Sequence, residues 1–552
     1  MTALRNPMRA AFAALAAVAL LLTACASPTA PAAAERPRLI VFLVVDGLPQ
    51  RQVVDYRDQL APDGLRRFLE RGAWFANAHY AHANTQTAPG HATMLTGAYP
   101  HRTGIIANEW RDPGTGELEY NTGDLAAAYI GHRTNRLDGT SPKNLRAETV
   151  GDVLRRLDAR SKVIAISGKD RGAILPAGKS GTAYMYQTQT GQFASTTYYM
   201  KAHPPWVTEF HAAKPADAYF GKEWRPLLDD QSYSRSLPDQ QKWYAKWGGK
   251  LPLKLGEGMD APGPALYSAV LRSPYGDELT LAFARAAIAG EQLGQDDVPD
   301  ILSVSLSSHD YINHGFSPES RISHDHLLHL DRLLERFFRD LDATLGKDRY
   351  LAVLTADHGF MPAPEVSQSQ GRDAGRLNGG QFIARLNAGL APRFGQGQWV
   401  LGLSAQAVVL NQALIAERKI DAAALAEETR KLLLAEPAVA AAYTRSEIEG
   451  GALAGAPFIE AVRRTWDRER SADIQVVLKP YWMFSSSTSM TTHGSPHPYD
   501  TQVPILLYGP RWVKAGRVDT RAEVVDIAPT LARILGIPPP SSSEGTALPV
   551  AR

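Results

Sequence analysis

"RLIVFLVVDG", residues 38–47, is an almost unbroken apolar run that stops at an acidic residue and a glycine. A strand with one wet face alternates in polarity, whereas a continuous, partly β-branched run reads as a strand buried on both faces. Four more runs share this character: "KVIAISGKDRG" (162–172), "DILSVSLSSHD" (300–310), "YLAVLTADHGF" (350–360) and "VPILLYGP" (503–510). Helical patterns lie between them, at 147–157, 278–290 and 325–345. Strands alternating with helices predict an α/β fold with a mostly parallel central sheet and helices on both faces. Two regions break the rhythm. Residues 181–270 are rich in Tyr, Trp, Pro and Lys, and residues 361–490 hold a helical segment (422–442) and a strand candidate (474–484). Both read as caps inserted into one main body spanning 38–548.

The chain has 552 residues, 44% hydrophobic and 21% charged, with a net charge of +2. That balance suits a large globular enzyme and gives no basic surplus for nucleic acid. Arg5 and Arg9 precede an apolar run at 10–22 that is too short to span a bilayer comfortably. Residues 1–24 therefore read as an export signal. "LTAC" (22–25) resembles a lipoprotein processing box, and Cys25 is the sole cysteine. The expectation is lipidation at Cys25, a flexible tether over 25–37, and a periplasmic or cell-surface protein anchored to a membrane.

In open α/β sheets, ligands bind beyond the carboxyl ends of the strands, and there this sequence collects its metal-competent side chains. Asp46 closes the first run. Asp310 and His314 follow the run at 300–306, Asp357 and His358 the one at 350–355, Lys169 and Arg171 the one at 163–167. Each alone has a plainer role. An Asp before Gly forms turns, "DYINH" suits an exposed loop, Lys169 and Arg171 a solvated pair, and a threonine before a proline an N-cap. Three strand ends that all carry carboxylate or imidazole are hard to assign to turns. Adjacent Asp357 and His358 would face opposite ways in a regular strand, so convergence needs an irregular turn, for which Gly359 supplies freedom. His493, in "TTHGSPHPYDTQVP" (491–504), completes a thiolate-free donor set suited to zinc, with manganese as the alternative.

"NTQTAPGHATMLTGAYPHRTG" (84–104) places Thr87 at what reads as the start of a helix, whose N–H groups favour an anion, with Pro89 in the first turn. With "VVDG", "GKDRGAILPAG", "DYINHGF", "TADHGF" and "THGSPHPYDTQVP", this stretch resembles the alkaline phosphatase superfamily. The likeness is to the branch of PafA-type bacterial alkaline phosphatases and nucleotide pyrophosphatase/phosphodiesterases. The resemblance implies an alkaline-phosphatase-like fold and two metals, Zn2+ or Mn2+. One would be held by Asp46, Asp357, His358 and the Thr87 oxygen, the other by Asp310, His314 and His493. It also implies Thr87 as the nucleophile of a phosphothreonine route, and Asn108, in "IIANEW", as a contact to a phosphoryl oxygen.

A monoester carries more negative charge than a diester and calls for added cationic donors. Lys169 and Arg171, two positions apart, can point the same way from an extended segment. The resemblance makes them phosphoryl contacts of a monoesterase acting on small phosphate monoesters. A diesterase or nucleotide pyrophosphatase is the enzymatic alternative, and an inactive lipid-anchored binding protein the other. A sulfatase is disfavoured because Thr87-Ala88-Pro89-Gly90-His91 lacks the convertible residue and the arginine. Cytoplasmic mutases of the superfamily are disfavoured by the export signal. His324, His326 and His329 are expected on a polar helix face and His91 behind Thr87. His309 and His497 neighbour the chosen His314 and His493.

Overall fold

The computed structural model describes residues 36–451 and 453–550. The signal segment, Cys25 and nearly all of the tether lie outside the described residues. From Pro37 onward the described residues belong to one compact unit.

Its core is a nine-stranded sheet. In chain order the strands are β1 (Leu39–Val45), β2 (Ala73–Phe75), β3 (Val163–Ser167), β4 (Thr182–Gln187), β5 (Gln192–Ala194), β6 (Asp300–Leu306), β7 (Tyr350–Thr355), β8 (Ile505–Tyr508) and β9 (Gly516–Val518). Across the sheet they run β9-β2-β8-β7-β1-β6-β3-β4-β5. Five central strands, β7-β1-β6-β3-β4, are mutually parallel. The fifth apolar run, β8, enters antiparallel to β7.

Every side chain of β1 is fully buried, each contributing about 1.5–3 kcal/mol relative to exposure. That buried run also sets the register. Val45 pairs with Leu306 of β6, and Val44 with Thr355 of β7. The three neighbouring strands thus end at one level, and the residues after each emerge together along one edge.

Five helices position the chemistry: α1 (Thr87–Thr96), α2 (Asp170–Ala177), α3 (Pro274–Glu291), α4 (Ser308–Phe316) and α5 (Arg321–Thr344). The segment "DYINH" lies within α4, buried rather than in an exposed loop. The helix expected over 422–442 stops at Ala435, because Pro437 excludes its continuation. Residues Val439–Thr444 instead pair with Ile474–Leu478 in a separate four-stranded sheet that has its own apolar core. Pro480 likewise divides the 474–484 stretch into Ile474–Leu478 and Trp482–Phe484. The region from 181 opens with β4 and β5, which extend the main sheet, before turning irregular.

Candidate active site

The carboxyl edge of the sheet gathers the charged side chains. Asp46 follows β1 directly, and its N–H extends the ladder to Leu306 O at 3.0 Å. On α4, Asp310 and His314 stand one turn apart, with Asp310 Oδ1 and His314 Nε2 3.4 Å apart. The same Asp310 oxygen lies 3.6 Å from His493 Nε2 and 3.9 Å from His358 Nε2. His358 Nε2 is 3.6 Å from Asp46 Oδ1 and 3.5 Å from Asp357 Oδ2. Six side chains from four chain segments therefore converge.

The imidazoles are held in one tautomer. Nδ1 of His314 meets Thr491 O (2.8 Å), that of His493 meets Thr85 O (2.9 Å), and that of His358 meets Gly359 O (2.8 Å). A carbonyl can only accept, so Nδ1 carries the proton and each Nε2 lone pair faces the cluster. This is the arrangement in which metal-ligating histidines are oriented by backbone acceptors. The His358 and His493 rings stack at 3.3 Å. Burial, then the neighbouring His358, holds His493 well below its ordinary pKa, and burial lowers His358 as well, so both stay neutral.

Asp357 and His358 do reach one site from adjacent positions. Gly359 serves that turn through close approach rather than a left-handed backbone. A Cβ there would lie 2.2 Å from Tyr499 O. The Asp357 carboxylate accepts from the Gly47 N–H at 2.9 Å and faces His91 Nδ1 at 3.4 Å.

Lys169 sits between two of these carboxylates, its Nζ 2.6 Å from Asp310 Oδ2 and 2.7 Å from Asp46 Oδ2. It is only 5% exposed, so it is no solvated surface charge. Burial disfavours its charge, but Asp310 and Asp46 outweigh that and raise its pKa. The two aspartates respond in opposite ways. Burial and then Asp357 push Asp46 well up, whereas Lys169, His314 and His493 overcome burial and hold Asp310 well below the usual range. Three carboxyl groups share one ammonium in this buried cluster, and the upward push on Asp46 reflects that acidic surplus.

Buried Asp46 Oδ1, Asp310 Oδ1, Asp357 Oδ2 and His358 Nε2 all lack a hydrogen-bond partner. Each such orphan costs about 1–3 kcal/mol. Divalent cations would satisfy all four and cancel the charge, so the residues fit a metal centre. Two overlapping donor groups are compact enough to hold an ion: Asp310, His314 and His493, and Asp46, Asp310 and His358. The second has Asp310 where the sequence resemblance implies Asp357. The Lys169 ammonium draws Asp46 and Asp310 together, while Gly47 and His91 hold Asp357.

Thr87 is the first residue of α1, and the cap position is Gln86, so the N-cap reading of Thr87 does not hold. Among the described residues no group hydrogen-bonds its hydroxyl. Its turn is fixed around that hydroxyl. His91 Nδ1 meets Thr87 O at 2.9 Å, while its Nε2 meets Ser305 Oγ. A Cβ on Gly90 would lie 2.2 Å from Asp357 O, so only glycine lets α1 pack this close to the cluster. Asn108 Oδ1 accepts from the Ala88 N–H (2.9 Å), which leaves its Nδ2 hydrogens to donate elsewhere.

A model of the type I phosphodiesterase/nucleotide pyrophosphatase family matches residues 40–500. The chain belongs to that family. Within the alkaline phosphatase superfamily it stands with the PafA-like members. It is 33% identical over 521 residues to alkaline phosphatase PafA of Elizabethkingia meningoseptica, covering 93% of this chain and 94% of that one. It is 33% identical over 522 residues to alkaline phosphatase PhoV of Synechococcus elongatus, covering 93% of each. The crystal structure of PafA superposes with a TM-score of 0.87 at 32% identity, over 94% of this chain and 100% of that one. A relative from Myroides odoratus, 35% identical over 521 residues (93% of this chain, 94% of that one), bears the name calcium-transporting ATPase. Among the described residues, no helix is long and apolar enough to cross a membrane.

Against the family background, Lys169 and Arg171 depart from the extended geometry read from their spacing. Lys169 holds the cap position of α2 and Arg171 lies in that helix's first turn. Arg171 donates to Tyr120 Oη (3.0 Å), and Tyr120 donates to Asp170 (2.6 Å). Sequence reasoning missed Tyr120 and Tyr311, whose ring lies 4.9 Å from Lys169 Nζ. Neither carries a signal in the chain, because the cation each one neighbours is distant in sequence.

His309, His324, His326 and His497 make their hydrogen bonds away from the cluster. His497 bonds Leu478 O (2.8 Å), and His309 links His326 Nδ1 to Gln52. His324 and His326 are fully buried instead of lining a polar face. His324 is satisfied by Ser236 and Gln59, and His326 faces Asp277 at 3.2 Å.

Asp500 braces the loop that carries His493, accepting from Ser495 N–H (2.9 Å) and Oγ–H (2.5 Å), while its Oδ1 is buried and unpartnered. Burial pushes its carboxyl up to about 7. The folded chain thus keeps a proton that the unfolded chain releases between the ordinary carboxylate range and about pH 7, and stability falls as pH rises through that window. From about pH 4 to about pH 8, stability should swing toward Asp500→Asn over the parent by on the order of 4 kcal/mol. Urea unfolding at each pH reads this, and parallel profiles would refute a raised Asp500.

Proposed function

We propose that this phosphomonoester hydrolase of the alkaline phosphatase superfamily works through a phosphothreonine on Thr87 beside two divalent metals. The observation that carries the reading is the buried set of three carboxylates and three Nε2-presenting imidazoles, with four atoms left unbonded. Asp310, His314 and His493 would hold one ion, and Asp46, Asp357, His358 and the Thr87 oxygen the other. When bound, such ions supply the positive charge that lets a hydroxyl attack at neutral pH and an alkoxide depart. Zinc suits the donors best, with manganese as the alternative.

The chain's own residues do the rest. The amino end of α1 presents amide hydrogens and a positive dipole to the phosphoryl group. Asn108, anchored on Ala88, donates from Nδ2. The Arg171 guanidinium, with its buried Nε unpartnered, offers further donors, and Lys169 adds a charge at the same edge. The Thr87 oxygen bonds to phosphorus as the bond to the leaving oxygen breaks, and the proton lost from the hydroxyl ends, by way of solvent, on the departing alcohol. Water then breaks the Thr87–phosphorus bond, releasing phosphate and restoring the hydroxyl.

The diesterase reading draws on one feature, a pocket of about 220 Å³ beside His493 with Leu403, Trp482, Met483 and Phe484 among polar lining residues such as Gln86, Gln406 and Lys479. Two cationic donors at the phosphoryl site weigh toward the monoester.

Metal content by elemental mass spectrometry tests the reading. The active protein should carry two equivalents of divalent metal and identify it as zinc or manganese. Chelation should abolish turnover, and readdition should restore it. A fully active chain free of divalent metal ends the proposal.

A further inference from the structure

A cavity of about 820 Å³ opens beside the cluster and includes His314 and Tyr311 in its lining. Two segments wall it, 242–247 and 485–490. Both are fastened to the carboxyl end of α4. The Ala245 N–H donates to Gly315 O (3.0 Å) and the Met490 N–H to His314 O (2.7 Å). Trp247 packs on Phe316 with ring centroids 4.5 Å apart. The walls are thus tied to the element that carries Asp310 and His314.

Charge distinguishes this chamber. Arg376 is matched by Glu365 in a two-bond pair (3.0 and 2.7 Å) and so contributes no net charge. Lys242, Lys246 and Arg272 also line it, and among the described residues none of them has a carboxylate partner. Arg272 rests over the Trp247 ring at 5.5 Å, a contact that orients a cation without neutralising it. The entire chain has a net charge of only +2, yet three unmatched cations face this one space. Ser485, Ser486, Ser487, Thr488 and Ser489 add hydroxyls along the opposite wall.

Position gives the charge a meaning that rests on the proposed function. In an in-line displacement the leaving oxygen departs opposite Thr87, and since the proposed ligand assignment gives the Thr87 oxygen to the other ion, that side is the Asp310–His314–His493 group. A chamber lined by His314 lies where the rest of the leaving alcohol must go. We propose that this chamber is a leaving-group subsite selective for phosphate monoesters whose alcohol carries a second anionic group, a carboxylate or a further phosphate. Lys242, Lys246 and Arg272 are its specificity-determining residues. They act through charge on the departing half of the substrate, not on the phosphoryl group.

Phenyl phosphate and 4-carboxyphenyl phosphate form the test pair, since each has one phosphate and only the second carries the extra charge. The ratio of their kcat/KM values, compared between parent and variant, cancels their intrinsic reactivities. In Lys242→Ala/Lys246→Ala/Arg272→Ala the ratio should shift about tenfold against the carboxylated ester, two exposed lysines and a half-buried arginine each contributing modestly. Added salt should erode the parent's preference and leave the variant's ratio flat. Lys242→Arg/Lys246→Arg, which keeps the charge, should retain the parent ratio. A ratio unchanged in the triple alanine variant, with phenyl phosphate still turned over, overturns the subsite while leaving the phosphatase reading intact. Loss of both substrates together with an unchanged melting temperature also overturns it, because the cations would then serve the phosphoryl group.

Discussion

Thr87→Ala is expected to lower kcat/KM for p-nitrophenyl phosphate by a factor on the order of 10³ to 10⁶, the range seen when a catalytic nucleophile is removed. Acid-quenched parent enzyme should yield a phosphorylated peptide within 84–104, and the variant none. The variant should fold as well as the parent. A threonine that capped a helix would cost about 1 kcal/mol on truncation, but this hydroxyl caps nothing. Gln86 holds the cap position, and the surrounding turn is fixed by His91 and by the approach of Gly90 to Asp357. A hydroxyl without a partner, on a residue otherwise buried and in a turn over-determined by its neighbours, is what the proposed nucleophile requires. Thr87→Ser keeps the oxygen and should recover much of the rate. Parent-level turnover in Thr87→Ala would require a different nucleophile.

The central sheet was legible because its strands are buried on both faces, and a continuous apolar run leaves little else for β1 to be. The same signal carried no direction, so the antiparallel entry of β8 could not be read. Proline decided the places where expectation and structure part. Pro437 and Pro480 cut the helix expected over 422–442 and the strand expected over 474–484, and both prolines stood in plain view. The candidate site was legible where residues sit just past a strand end. Asp46, Asp310, His314, Asp357 and His358 do meet, because the register of β1 with β6 and β7 ends those strands at one level. His493 came only from resemblance. Nothing local separates it from His497, and the difference is that one ring bonds Thr85 O while the other bonds Leu478 O. The spacing of Lys169 and Arg171 misled on backbone geometry, since a helix starts between them, yet both cations still lie near Asp46 and Tyr311. The Lys242–Trp247 wall was legible only as composition, because its meaning comes from docking on α4.

Lys169→Ala/Arg171→Ala is expected to lower monoester hydrolysis by about 10³-fold or more, since removing one preorganised donor to developing charge costs about 10²–10³. Bis-p-nitrophenyl phosphate, with one fewer negative charge on phosphorus, should lose far less. The ratio of the two losses is the measurement. The structure supplies a rival account of Lys169 that the ratio can separate. Its ammonium bridges Asp46 and Asp310 at 2.7 and 2.6 Å, so its role could be to hold those carboxylates apart from the phosphoryl group altogether. In that case its removal disturbs the metal centre, and both substrates suffer alike. If instead the ammonium occupies those oxygens only while no divalent cation does, Lys169→Ala removes a competitor for the site. Metal should then bind at least as tightly as in the parent, while the monoester preference collapses. A chelator titration of Lys169→Ala alone decides it. Unchanged or tighter metal retention with a fallen monoester-to-diester ratio assigns Lys169 to the substrate, and weaker retention with equal losses assigns it to the ligand carboxylates. Arg171 has no such ambiguity. Its partners are Tyr120 and Asp170 rather than the cluster, so Arg171→Ala should move the ratio without touching metal content.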